Sequence, residues 1–222
     1  TPEEKQKKKI NPKRKNNYSN KKPAVKTPGA TITMALKKKN MLPAIYFTFS
    51  RKKCDENAKK CSSLELLTKE ETLEINRLVD EYIGENPYLE NNPQIDLIKK
   101  GVASHHAGLL PGWKLLVERL FQKGLIKMVF ATETLAAGIN MPARTTVISS
   151  VSKRTDEGHR MLSANEFLQM SGRAGRRGMD EIGYVVIVGT PFQTPEEVAA
   201  LATSDSNPLE SKFSPCYSMV LN

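Results

Sequence analysis

The sequence is poor in three features that would each fix a class of protein. Its 222 residues hold only 3 cysteines, Cys54, Cys61 and Cys216, with no C-x-x-C pair. An odd, scattered set argues against a disulfide scaffold or a cysteine metal site. Cys54 and Cys61 are seven apart, which on a helix puts them on one face as small core residues. No run of 18 apolar residues occurs, so no segment reads as a membrane span. Most of the chain also lacks net charge. Of 34 Lys/Arg and 24 Asp/Glu, residues 1–40 hold 13 and 2, which leaves 21 and 22 for the remainder. Any affinity of the body for a polyanion must therefore come from placed groups. The chain begins at Thr1 without a signal-peptide apolar region and reads as a piece of something larger.

Residues 1–40 are rich in Lys, Asn and Pro with few apolar anchors, and read as a basic, disordered linker. A polybasic arm that adds RNA affinity is the alternative. From Pro43 the pattern changes. Apolar runs at 44–49 and 183–188 read as strands, as do the segments 102–106, 126–131 and 145–149. Between them lie helix signals. Ser50 is a candidate N-cap. Thr68/Glu71, Ser163/Glu166 and Thr194/Glu197 have capping-box spacing. Ile75, Leu78, Val79, Tyr82 and Ile83 share one helical face, as do Trp113, Leu116, Val117, Leu120 and Phe121. Asn91-Asn-Pro93 opens a short helix that Gly101 stops, so 62–100 reads as a helical insertion. Strands alternating with helices predict an α/β fold, a mostly parallel sheet with helices on both faces. Ligands of such sheets bind at the carboxyl ends of the strands.

The most informative segment is Gln169-Met-Ser-Gly-Arg-Ala-Gly-Arg-Arg-Gly178. Arg173 and Arg176 each follow a glycine, and Gly172, Gly175 and Gly178 allow positive φ and close packing. Arginine's fork matches phosphate oxygens bidentately, so the segment reads as a phosphate-facing site. A flexible loop or a nuclear-import patch is the alternative. Three further segments begin where strands end: Tyr46–Arg51, Ser104–Pro111 and Phe130–Ala143. The Ser50 and Thr132 hydroxyls stand where they can bond a backbone phosphate. Gly138 lets the main chain approach a ligand.

In this order and wording the segments resemble the second RecA-like domain of superfamily-two helicases, more narrowly the superkiller-type DExH-box RNA helicases. The resemblance covers about residues 43–222. It rests on Ala131-Thr-Glu-Thr, Gly138-Ile-Asn-Met-Pro-Ala-Arg144, Gln169 to Gly178, and Leu209-Glu-Ser-Lys-Phe-Ser-Pro-Cys-Tyr-Ser-Met-Val-Leu-Asn222. The phrase Ala136-Ala-Gly-Ile-Asn, with Leu162 to Phe167 and Gly178-Met-Asp-Glu181, is similar to the cyanobacterial and plant chloroplast branch, which implies a chloroplast setting.

The resemblance implies a RecA-like domain over 41–205 and the start of a winged-helix domain over 206–222. It implies that Arg173 and Arg176 reach the γ-phosphate of ATP as arginine fingers, with Gln169 positioning that phosphate or the attacking water. Gly138 and Asn140 would lie in the segment that couples nucleotide to RNA. Ser50, Arg51 and Thr132 would contact single-stranded RNA. A strand points His105 and His106 to opposite sides; His106 is the candidate for RNA, with a core or surface histidine as the alternative. No G-x-x-x-x-G-K-[ST] loop and no Asp-Glu-x-His segment is present. In the family both belong to the first RecA-like domain. The implied partners are that domain, the winged-helix domain and RNA, with no membrane, and a monomeric chain is expected. ATP and Mg belong to the whole enzyme, and neither is expected on this chain alone. Two rivals remain at this point: a DNA helicase of the same group, since no residue here reads a 2′-hydroxyl, and a non-catalytic RNA-binding scaffold.

Overall fold

The computed structural model describes residues 29–138, 141–155, 158–189 and 193–206. The elements run α1 (Gly29–Lys38), β1 (Ala44–Phe47), α2 (Arg51–Lys60), α3 (Lys69–Glu85), a 3-10 turn (Pro87–Leu89) and α4 (Ile95–Ile98). They continue β2 (Val102–His105), α5 (Pro111–Gln122), β3 (Met128–Ala131), α6 (Thr134–Gly138) and β4 (Thr145–Ile148). The remainder is β5 (Ser152–Thr155), β6 (Gly158–Met161), α7 (Ala164–Ser171), β7 (Tyr184–Ile187) and α8 (Pro195–Ala202).

Five strands form one sheet in the order β2-β3-β1-β4-β7, and every pair is parallel. Alternate side chains of the inner strands serve two cores. Tyr46, Met128, Phe130 and Val147 pack beneath α1 and α2 with Cys54, Ala58 and Cys61. Ile45, Phe47, Val129, Ala131 and Ile148 meet α3, α5, α6 and α7, with Trp113 fully buried among them. Burial on both faces explains why β1 and β3 read as unbroken apolar runs. This is the RecA-like α/β fold, with helices on both faces of the sheet. All three capping boxes form, each with reciprocal bonds. Cys54 and Cys61 are buried and free, and burial pushes the Cys54 thiol up to about 12.

Three elements depart from the sequence reading. Helix α1 lies inside the stretch expected to be a linker, and its seam is Gly29, Thr33 and Leu36. The first two are a glycine and a hydroxyl residue, so no apolar stripe announces the helix. A Cβ on Gly29 would stand 2.9 Å from Phe130, and Thr33 satisfies its own buried hydroxyl on the Gly29 carbonyl at 2.8 Å. The antiparallel hairpin β5–β6 was not expected either. Its residues are polar and half-exposed or exposed, so they show no alternation to read. Helix α6 is five residues long, too short for a periodic signal. The stretch 62–100 is helical, and its Ile75, Val79, Leu89 and Ile98 are wholly buried. Residues 1–28 of the expected linker and 207–222 of the expected winged-helix start lie outside the described residues, as do Cys216 and Asn140.

Candidate functional site

The glycine-arginine segment is fixed by its main chain before any side chain is considered. Helix α7 ends at Gly172, whose φ of −66° needs no glycine freedom. The restriction there is space, since a Cβ would stand 2.8 Å from the Leu168 carbonyl oxygen. Gly175 does use positive φ, at 88°. Between them the chain zips to the residue two before β4: Ala143 N–H donates to Arg173 O at 2.9 Å, and Gly175 N–H donates to Ala143 O at 2.7 Å. Gly183 closes the far side, because a Cβ there would stand 2.6 Å from Ala174 C and Gly175 N. The arginines therefore stand on a backbone held from two directions.

Their side chains are held differently. Arg173 donates through Nε at 3.1 Å and through Nη2 to one acceptor, the Ala136 carbonyl in α6. Arg176 lies against Asp180. Its Nε meets Oδ2 at 2.8 Å, its Nη2 meets Oδ1 at 2.9 Å, and its main-chain N–H reaches Oδ2 at 3.0 Å. Arg144 Nε adds a fourth donor to Oδ1 at 2.8 Å. The Asp180 side chain is 1% exposed. Hydrogen bonds from Arg176 first, then from Arg144, hold its carboxyl far below the usual carboxylate range, against the opposing effect of burial.

Gln169 is exposed on the last turns of α7 and lines a cleft of about 260 Å³ with Glu133, Thr134, Ala136, Lys153, Glu166 and Met170. The structure thus brings Gln169 and the Arg173 acceptor Ala136 to one place. Charge in the cleft is internally balanced. Lys153 Nζ lies 2.7 Å from both Glu133 and Glu166, and Arg160 clasps Glu166 with two bonds of 2.7 and 2.8 Å. Arg160 first, and then Lys153, keep the Glu166 carboxyl far below its ordinary range although burial opposes them. Sequence reading missed Lys153, Arg160, Glu133 and Asp180. Of these, Glu133 lies in Ala131-Thr-Glu-Thr and Asp180 in Gly178-Met-Asp-Glu181, both already singled out, whereas Lys153 and Arg160 lie in no such segment.

A second group gathers at the carboxyl ends of β1, β2 and β3. Ser50 caps α2 by accepting from Lys53 N–H at 3.4 Å. Arg51 is exposed beside Gly108, where a Cβ would meet Arg51 Cδ at 3.6 Å. Thr132 follows β3, with its hydroxyl 2.9 Å from that of Thr134. His106 is placed otherwise than its expected role requires. It is 5% exposed, with Nε2 3.2 Å from both Asp55 carboxylate oxygens and Nδ1 accepting from Gly108 N–H. Both ring nitrogens are engaged, so it supports the loop behind this edge and has no donor left for RNA. His105 is equally buried, against Glu118 at 2.9 Å, and burial lowers its pKa although Glu118 opposes. Gly138 ends α6. No group of three or more His, Cys, Asp or Glu that could hold a metal occurs among the described residues.

The profile of the helicase conserved C-terminal domain family matches residues 29–178. The chain belongs to that family. Its match begins at the first residue of α1, where sequence reading still placed the linker. The helicase C-terminal domain described here is 48% identical over 187 residues to the chloroplastic DExH-box ATP-dependent RNA helicase DExH15 of Arabidopsis thaliana, covering 84% of this chain and 16% of that protein. It is 43% identical over 206 residues to the probable helicase HelY of Mycobacterium tuberculosis, covering 88% and 22%. It is 40% identical over 199 residues to the exosome RNA helicase MTR4 of Mus musculus, covering 86% and 19%. The chain thus spans about a sixth to a fifth of the curated relatives it matches.

Proposed function

We propose that this chain is the second RecA-like half of an ATP-dependent RNA helicase. It would supply arginines to ATP held by a first RecA-like domain and grip the backbone of single-stranded RNA. The observation that carries the reading is the arginine segment itself, two forks on a backbone braced at Ala143 and Gly183. The donors offered there are guanidinium N–H groups and the Gln169 amide. Such a set suits the oxygens of a phosphoryl group in transfer and not a divalent cation. Magnesium would be held by the domain that holds the nucleotide and would supply charge neutralisation on its phosphates there. Arg173 and Arg176 would stabilise charge on the γ-phosphoryl group, and Gln169 would orient that group or the water that attacks it. Gly138 and Asn140 would belong to the segment that relays the nucleotide state to RNA.

Ser50, Arg51 and Thr132 would line the RNA path at the strand ends. This part of the reading is supported by their shared edge of the sheet. A chloroplast setting is proposed on the chloroplastic relative from Arabidopsis thaliana, and a fluorescent fusion in plant cells tests it. The names of the relatives also favour RNA over DNA, and matched RNA and DNA strands compared as ATPase activators test that choice.

The deciding experiment is made in the full-length protein. Arg176→Ala and Arg173→Ala are expected to lower RNA-stimulated ATP hydrolysis by about 10³-fold or more while RNA binding stays within a few-fold. Normal turnover in both variants would sink the reading. The chain by itself is expected to show no ATP turnover, because it has donors for the γ-phosphate and no loop to cradle the other phosphates.

A further inference from the structure

Asp180 lies four residues past Arg176, and its position is that of a support. Its two oxygens take four donors, three from Arg176 and one from Arg144. Arg144 is itself tied to the frame, donating from Nη1 to the Asn40 carbonyl at 2.8 Å just before β1. The carboxylate is thus immobile and almost fully out of water. It binds one particular edge of the guanidinium, the edge formed by Nε and Nη2. Arginine has five N–H donors in a plane. With Nε and one Nη2 hydrogen engaged, the remaining three point from the opposite end, along Nη1 and Nη2. That end edge is the other bidentate face of the fork.

Because the main-chain N–H of Arg176 bonds the same carboxylate, backbone and side chain share one reference point. An unheld arginine would search many rotamers; this one is left with very few. We infer that Asp180 is a positioning residue, which fixes the plane and direction of Arg176 so that its Nη1–Nη2 edge is presented to a phosphate. The inference rests on the arginine-finger reading above and adds to it the residue through which the finger is aimed. Arg173 has no equivalent: its fork rests on a neutral carbonyl, so the two arginines are not interchangeable.

The test is a cycle of full-length proteins: unmodified, Asp180→Asn, Arg176→Ala and the double variant. Asp180→Asn is expected to lower RNA-stimulated kcat at least tenfold with ATP KM within about twofold. The double variant is expected to be no slower than Arg176→Ala, since the aspartate acts only through that arginine. Arg144→Ala removes the other partner of Asp180 and leaves the three bonds to Arg176: a lower Tm is expected, with a smaller fall in kcat than in Asp180→Asn. If Asp180→Asn fails to fold, Asp180→Glu keeps the charge but displaces it by one methylene, and the same fall in kcat is expected. A slow Arg176→Ala beside a normal Asp180→Asn or Asp180→Glu overturns the inference alone. Losses that multiply in the double variant, or a kcat that falls in step with Tm in Arg144→Ala and Asp180→Asn alike, do the same. Full turnover by Arg176→Ala removes Arg176 from the finger reading and overturns this inference with it.

Discussion

His106 faces Asp55 symmetrically, its Nε2 3.2 Å from each carboxylate oxygen. The histidine directly follows β2 and the aspartate comes from the second turn of α2, so the pair ties a strand end to the helix that Ser50 caps. Ser104 and Gln94 join the same carboxylate oxygen at 2.6 and 3.1 Å.

His106→Ala should therefore act on stability and not on ligand contact. A loss of about 1–3 kcal/mol is expected from the cavity and the abandoned partners. Denaturant unfolding measures it, and RNA affinity at low temperature should remain within about twofold. A large loss of RNA affinity in a fully folded variant would restore the direct role.

Arg51 stands exposed beside Gly108 at the same edge. In the full-length protein Arg51→Ala should weaken binding of single-stranded RNA without regard to base sequence. The slope of log affinity against log salt should fall in magnitude by about 1. A fluorescence-anisotropy titration at several salt concentrations reads both. An unchanged slope would remove Arg51 from the phosphate path.

Acid should loosen the site in a defined order. Asp180 and Glu166 both have folded pKa values below their ordinary 3.8 and 4.5. Their ion pairs then contribute fully above those ordinary values, and the contribution is lost as pH falls through them toward the folded values. Tm of the chain should change little through these groups between about pH 7 and 5 and fall below that. Glu166→Gln should fall less steeply, because one of the two titrating carboxyls is gone. Equal slopes would mean that the Arg160 and Lys153 contacts contribute nothing.

Gly183→Ala should be costly for a reason of space. The added methyl would lie 2.6 Å from two main-chain atoms of the arginine segment, and backbone cannot swing aside as a side chain can. A loss of about 1–3 kcal/mol is expected, read as a lower midpoint in urea. In the full-length protein the same change should slow ATP turnover more than RNA binding. A variant as stable and as active as the parent would show that the segment has slack.

How much of this was legible in the sequence depended on how each feature is made. The inner strands and the large helices are built by apolar side chains at regular spacing, and Trp113, Leu116, Val117, Leu120 and Phe121 declare α5 unaided. The capping boxes are equally local, since Thr68 and Glu71 need only three residues to find each other. Helix α1 was hidden because Gly29 and Thr33 make its seam by being small. The hairpin β5–β6 was hidden because Lys153 and Arg160 anchor it through Glu133, just before α6, and Glu166 of α7, which no window of sequence spans. Strand order is a property of the assembled sheet and was not readable. Arg173, Arg176 and Gln169 stood out from the start, yet the partners that hold the arginines did not. A carbonyl such as that of Ala136 leaves no mark in a sequence. The packing of His106 could not be read from alternation, because period two applies within a strand and β2 ends one residue earlier, at His105.

The two bonds that join Ala143 to Arg173 and Gly175 have a mechanical consequence. Hydrogen bonds of 2.7 and 2.9 Å tolerate only a few tenths of an ångström before they weaken. Any displacement of Arg173 along the cleft must either break them or drag Ala143, and with it the chain that enters β4. One segment would be pulled by a nucleotide and the other by a nucleic-acid strand, and the tie gives them no independent travel. Whatever moves the first is thereby a force on the second.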